Sequence, residues 1–279
     1  MTERQDTGQA ARAAGSIRNY VFANMVAGVA TLLRPPRDRR RPTSGRGFAT
    51  YAALAAAVAG ASMLWFDAPA IAEVATWPHW IVWLFGEITR FGLSGWFLVP
   101  LGTLLVAAAF VDGPWMPQSA RLLLGTVTVR LGFLFVAVAV PGLINNLLKR
   151  VIGRARPSQL GPYFYDPLAW RAAFESLPSG HATTAFSVLV AFGAVFPDLR
   201  WLLWLYALVI AASRVIVQAH YPSDVVAGAA LGGLMALAVR DWCARRRLGL
   251  YIGSDGKVRP LPAASPARLK GVARRLSAP

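Results

Sequence analysis

Residues 182–213 read ATTAFSVLVAFGAVFPDLRWLLWLYALVIAAS, and the only charges in the run are Asp198 and Arg200. Both lie in the short link Pro197-Asp198-Leu199-Arg200, so the stretch divides into two apolar segments, Ala182 to Pro197 and Trp201 to Ser213, joined by a tight return. A helix needs roughly 20 apolar residues to cross a hydrocarbon core. These two are shorter, so polar and functional residues must extend the helices at the membrane surface. The same pattern recurs outward along the chain, at Phe48 to Phe66, Gly95 to Val111, Leu131 to Leu148 and Val225 to Val239, each free of charge. Over all 279 residues, 56% are apolar and 15% charged, against about 25% charged in soluble domains. The reading is an all-α polytopic membrane protein with six transmembrane helices, near 48–66, 94–111, 129–148, 180–197, 201–218 and 223–240.

An even number of spans puts both ends of the chain on one side. Those ends hold Arg37, Arg39, Arg40, Arg41 and Arg46, then Arg240, Arg245, Arg246 and Arg247, and basic flanks stay in the cytoplasm. The segment 67–90 then faces outward with Asp67, Glu73, Glu87 and Arg90, a net negative set. Within it the run WPHWIVWLF (77–85) predicts an additional interfacial helix, because tryptophan favours the headgroup boundary; His79 is read there as structural. The expected organisation is a basic cytoplasmic N-terminal segment (1–46), a six-span domain (47–241) and a basic cytoplasmic tail (242–279), mobile beyond Tyr251 by its composition. The first 46 residues lack the short basic start and small-residue cleavage site of a secretion signal. They read either as a cytosolic segment or as an amphipathic helix lying on the membrane.

The net charge of +16 does not argue for nucleic acid, since it is concentrated in the flanks that topology requires; it favours anionic bilayer lipids instead. The lone Cys243 excludes an intrachain disulfide and a thiolate metal cluster. No dinucleotide fingerprint, nucleotide phosphate loop or zinc helix motif occurs. The small residues of the last span, Gly228, Gly232 and Gly233 among them, predict close helix packing.

Three polar clusters interrupt the apolar pattern: Lys149 to Pro157, Pro178 to His181 and Ser213 to Asp224. In the six-span arrangement they meet at the outer face. Lys149, Arg150, Arg154 and Arg156 there oppose the positive-inside tendency, and an anionic substrate gives them a reason. Lys149, Arg156 and Arg214 offer cationic donors, and arginine grips two phosphate oxygens in a fork. Ser179, Gly180 and His181 open an apolar helix, where free backbone N–H groups favour phosphate. Asp224, four residues after His220, is placed to orient that imidazole, which can then attack phosphorus, while His181 protonates the departing oxygen. Ser213 is read as orienting its neighbours or as capping and packing. The aromatic stretch between Pro157 and Pro178, with Tyr163, Phe164, Tyr165, Trp170 and Phe174, is read as a substrate-entry rim or as an interface anchor.

Lys149 and Arg156-Pro157 in KRVIGRARP, Pro178 to His181 in PSGH, and Ser213-Arg214, His220 and Asp224 in SRVIVQAHYPSD resemble the three signature motifs of the type 2 phosphatidic acid phosphatase (PAP2) superfamily, in order and with its internal spacings. The resemblance implies His220 as nucleophile, Asp224 as its partner, His181 as leaving-group acid, and phosphate binding by Lys149, Arg156, Ser179, Gly180 and Arg214, with no metal and no cofactor. The implied reaction is hydrolysis of a phosphate monoester or diphosphate on a membrane lipid, with phosphatidylglycerophosphate, polyprenyl diphosphate, phosphatidic acid and a lipid A type anchor all compatible. A lipid phosphotransferase and a non-enzymatic membrane scaffold are the contrasting readings, and the superfamily's soluble haloperoxidases are excluded by the spans. The expected location is a bacterial inner membrane with the site facing outward.

Overall fold

The computed structural model describes residues 19–31, 33–113, 115–159 and 161–262. Nine helices follow in order within those residues: α1 (19–31), α2 (Gly45–Trp65), α3 (Asp67–Val74), α4 (His79–Thr89), α5 (Gly95–Val111), α6 (Gln118–Ile152), α7 (Gly180–Val195), α8 (Arg200–Ile216) and α9 (Pro222–Arg246). The described residues are all-α apart from a small antiparallel pair, β1 (Leu250–Ile252) and β2 (Val258–Pro260). Among the described residues five helical stretches are long and apolar enough to cross a membrane: α2, α4 continuing into α5, α6, α8 with the turn before it, and α9. The sixth expected span, α7, has 16 residues and falls short on length alone.

The shortness of α7 goes with its position. Ten of its residues are buried, and it packs on α6, α8 and α9, so neighbouring helices take the place of lipid along most of its surface. Glycine makes the closest of these contacts possible. An added Cβ on Gly228 or Gly232 of α9 would collide with the carbonyl oxygens of Ser179 or Thr183 of α7. At this separation the Thr183 hydroxyl reaches the Gly228 carbonyl (3.1 Å) and the Ser187 hydroxyl reaches that of Gly232 (3.3 Å). Gly233, by contrast, faces open space, so the small-residue signal marks two packing positions and one that is not.

Helix α6 runs well past the expected 129–148, and Pro141 sits buried within it, as membrane helices tolerate when neighbours pack against the break. Helix α4 carries Trp80 and Trp83 exposed and His79 exposed at its start, and it runs on towards α5 as part of one apolar stretch.

The chain's basic flanks gather at one end of α9. Arg37 and Asp38 donate backbone N–H groups to the Arg245 carbonyl (2.9 and 3.0 Å), Arg40 reaches the Gly253 carbonyl (2.9 Å), and Thr43 N–H meets Asp241 (2.9 Å). The expectation of a mobile tail beyond Tyr251 fails for residues 251–260: the β-hairpin holds Leu250 and Ile252 in the same apolar cluster as Phe133, Ala244 and Cys243. Composition suggested a tail because Pro, Gly and single basic residues dominate, but alternate burial of Leu250 and Ile252 is enough to dock a short strand. Cys243 is buried in that cluster. Residues 263–279, and the first 18, lie outside the described residues.

Candidate active site

All three polar clusters fall at the other end of α9, roughly 35 Å away at 1.5 Å per residue. Lys149 lies in the last turn of α6, which ends at Gly153 with φ 61°; this left-handed position, pressed against the Asp166 carbonyl, accepts only glycine without strain. Ser179 caps α7 from outside, with no side-chain bond to its own helix. Arg214 is in the last turn of α8. Beyond it the chain doubles back at Gln218 (φ 52°), and the N–H groups of Ala219 and His220 both donate to the Arg214 carbonyl (3.1 and 3.2 Å). One turn therefore fixes Arg214 and His220 relative to each other. Asp224 follows in the first turn of α9, and its carbonyl receives the Ser179 N–H (2.9 Å).

His220 is 1% exposed. Its Nδ1 lies 2.8 Å from the Ser176 carbonyl oxygen; a carbonyl only accepts, so Nδ1 carries the hydrogen and Nε2 keeps its lone pair. Burial pushes this imidazole down to about 4, against the pull of Asp224 in the opposite direction, so it is neutral near pH 7. The direct histidine–carboxylate contact expected from the spacing is looser than anticipated: Asp224 Oδ2 is 3.8 Å from Nδ1, an electrostatic distance. Its hydrogen bonds go elsewhere, to the Ser176 hydroxyl (2.5 Å) and the Tyr221 N–H (3.0 Å) on Oδ2 and to Arg154 Nη1 on Oδ1 (2.6 Å). Asp224 thus reaches His220 partly through Ser176, whose hydroxyl it accepts and whose carbonyl holds the ring.

The cationic donors converge above these groups. A Cβ built on Gly180 would lie 3.5 Å from Lys149 Nζ, so the ammonium sits over the first turn of α7 and its open N–H groups. Charges on Lys149, Arg156 and Arg214 all bear on His181, and those on Arg156 and Arg214 on His220. None of the three is ion-paired with a carboxylate among the described residues. Arg156 Nε, Arg214 Nε and the Ser179 hydroxyl are buried without a hydrogen-bond partner there. Buried polar atoms are ordinarily satisfied, and unpaired donors of one sign at a helix N-terminus are what a phosphate group would satisfy. Among the described residues no group of His, Cys, Asp and Glu could hold a metal ion.

Two of the four outer cations do other work. Arg154, grouped by sequence with the substrate-facing charges, is 0% exposed and lies between Asp224 and Asp67, 2.7 Å from the latter. Arg150 lies over the Trp170 ring at 4.7 Å and near Glu175 at 3.7 Å. Their misreading has one cause: against-topology charge signals a partner of opposite sign, and the sequence does not say whether it is substrate or protein. Ser213 donates to the Ile210 carbonyl (2.6 Å) and accepts from the Thr89 hydroxyl (3.0 Å), whose oxygen accepts from Arg214 Nη1 (2.7 Å). It therefore both packs its own helix and helps fix the arginine.

Several contributors escaped the sequence reading: Asp67, Thr89, Gly92, Asn145 and Ser176. Gly92 lies so close to the His181 ring that a Cβ there would sit 2.8 Å from Cδ2. Asn145 donates to the Pro178 carbonyl (3.2 Å) and the Thr183 hydroxyl (3.0 Å), holding the start of α7. Each is one polar or small residue in an ordinary local context, and only Asn145, inside an apolar run, carried a visible signal.

Comparison with known proteins identifies the family. Residues 130–248 match the family model described as the PAP2 superfamily. The chain is 39% identical over 200 residues to a lipid A 1-phosphatase of Rhizobium etli, covering 70% of this chain and 84% of that protein. It is 31% identical over 122 residues to an undecaprenyl-diphosphatase of Sulfolobus acidocaldarius, covering 42% and 58%. Among solved structures, the PAP2 type phosphatidylglycerolphosphate phosphatase of Bacillus subtilis superposes with a TM-score of 0.47 at 24% identity, over 69% of this chain and 91% of that one. With its three clusters inside the matched region and a relative of this identity aligned over most of its length, the chain belongs to the PAP2 superfamily.

Proposed function

We propose that this protein removes the 1-phosphate from a lipid A type glycolipid through a phosphohistidine intermediate, at the outer face of a bacterial inner membrane. The observation that carries the chemistry is the pairing of a neutral, buried His220, hydrogen-bonded through Nδ1, with unpaired donors on Arg156, Arg214 and Ser179. The glycolipid is favoured over the other phosphorylated lipids by the 39% identity to the Rhizobium etli enzyme.

In this reading Arg156, Arg214, Lys149 and the N–H groups opening α7 hold the phosphate oxygens. Nε2 of His220 attacks phosphorus, and the P–N bond forms as the P–O bond to the lipid breaks. His181 gives its proton to the departing oxygen. Water then attacks the phosphohistidine, His181 takes up its proton, and inorganic phosphate leaves. Positive charge on the substituted imidazole is balanced by Asp224.

The test is a panel of purified lipids incubated with detergent-solubilised protein and read by phosphate release and product mass. Lipid A should lose its 1-phosphate with the 4′-phosphate retained, in the presence of a chelator, and vanadate should compete. Turnover of another panel member with lipid A untouched would reject the substrate. An absolute requirement for a divalent ion would reject the mechanism in favour of metal-assisted attack.

The orientation rests on the basic flanks gathered at the end of α9 away from the site. In a Cys243→Ala background, a cysteine at Arg41 should react with an impermeant reagent only from the cytoplasmic side and one at Tyr163 only from outside. The reverse pattern would invert the assignment.

A further inference from the structure

Asp67 is the first residue of α3, just past the end of α2, and it is 0% exposed. An aspartate in the first turn of a helix ordinarily complements the helix dipole or caps it. Asp67 does neither: α3 has no side-chain cap, and the carboxylate turns away from its own helix. Oδ1 accepts the Ser223 N–H (2.9 Å), and Oδ2 accepts the Ser223 hydroxyl (2.6 Å) and Arg154 Nη2 (2.7 Å). Arg154 Nη1 then binds Asp224 Oδ1 (2.6 Å) and the Ser223 hydroxyl (2.7 Å), and its guanidinium lies 4.5 Å over the Tyr221 ring. The four residues from His220 to Asp224 other than Pro222 are thereby all held within one buried network.

Charge is what makes the arrangement specific. Arg154 alone would neutralise Asp224 and leave His220 beside a satisfied ion pair. With Asp67 present, the buried Asp67–Arg154–Asp224 set is net negative, and its Asp224 member stands 3.8 Å from an imidazole that must carry positive charge when phosphorylated. Burial of such a set is costly unless each member is paired and hydrogen-bonded, as each member is.

We propose that Asp67 is a positioning residue for the reaction: acting through Arg154 and Ser223, it leaves the charge of Asp224 available to His220. The proposal rests on His220 being the nucleophile. It makes the end of the first span part of the active site, although that segment contributes none of the three motifs.

The experiment compares wild type with Asp67→Asn, Arg154→Met, the double variant and His220→Ala, using purified protein, an alkyl phosphate lipid and an aryl phosphate. Asp67→Asn should lower kcat about 10- to 100-fold, the range met when the outer partner of a metal-bound histidine is lost. KM should change little, because the phosphate donors are untouched. The loss should be equal for both leaving groups, since the defect lies on the nucleophile's side. The double variant should be no slower than Asp67→Asn alone, because an uncompensated Arg154 is the harmful element; such non-additivity marks one acting unit. Full activity in Asp67→Asn, a loss confined to KM, or simple multiplication of the two single effects would overturn the proposal. Should Asp67→Asn fail to fold, the double variant takes its place: with the Arg154 charge also gone, Asp224 is again available to His220, so kcat should approach that of wild type for both leaving groups, and a kcat as low as that of His220→Ala would overturn the proposal. Persistence of phosphoenzyme in His220→Ala would instead reject the nucleophile assignment itself, a separate outcome.

Discussion

Replacing His220 with alanine should abolish the phosphorylated enzyme and lower turnover by about 10⁴-fold or more, the scale of loss when a covalent nucleophile is deleted. The geometry makes this expectation strict. Among the described residues His220 is the histidine whose Nδ1 is occupied by a carbonyl, leaving Nε2 in one fixed direction, and burial keeps it neutral, with its pKa pushed down to about 4. Rapid acid-sparing quench with phosphorus-labelled lipid would detect the intermediate. The same depression has a pH consequence. A nucleophilic imidazole works only as free base, so activity is lost as pH falls through its value in the free enzyme. The acid limb of kcat/KM should therefore lie well below the ordinary 6.5, near pH 4, and a limb centred near 6.5 would contradict the burial argument. Label retained on His220→Ala but lost on His181→Ala would reverse the two roles.

The second large effect belongs to His181, and its size should depend on the leaving group. His181 follows Gly180 at the start of α7, packed against Gly92 and influenced by the charges of Lys149, Arg156 and Arg214. As the acid for an alkoxide it should contribute within the range of about 10² to 10⁴ typical of positioned proton donors. His181→Ala should thus lose on that order with a lipid substrate and no more than about tenfold with an aryl phosphate, whose oxygen leaves without a proton. Steady-state kcat on the two substrates is the measurement. Equal losses on both would remove His181 from leaving-group protonation.

What could be read from the sequence followed from contrast against a simple background. In an apolar chain, Lys149, Arg156, His181, Arg214, His220 and Asp224 stand out because each charge or imidazole sits at the edge of a span, and edges on alternate helices must meet. Spans were legible for the same reason, with ends misplaced most at α6, where Arg130 and Lys149 lie inside the helix and charge was a poor guide to its limits. The supporting residues were hidden. Asp67 had a sufficient topological explanation as an outward acid, Thr89 and Ser176 are common hydroxyls in polar loops, and nothing local says that residues 87 and 156 positions apart share a hydrogen bond with Asp67. The hairpin at 250–260 was hidden for a different reason: its two buried side chains are too few to outweigh the tail-like composition around them.

The contact between α7 and α9, backbone against backbone at Gly228 and Gly232, also bears on how the enzyme meets its surroundings. Ser179, Gly180 and His181 ride on one of these helices and Asp224 on the other, joined again by the Ser179 N–H on the Asp224 carbonyl. Ser179, Gly180, His181 and Asp224 are thereby tied together in one packed block, while Lys149 stands on α6 and Arg214 on α8. A bilayer that thins or thickens can tilt or sink that block but cannot open it. The expected consequence is that lipids are told apart by depth: a phosphate should be processed when its headgroup can descend to the level of that block.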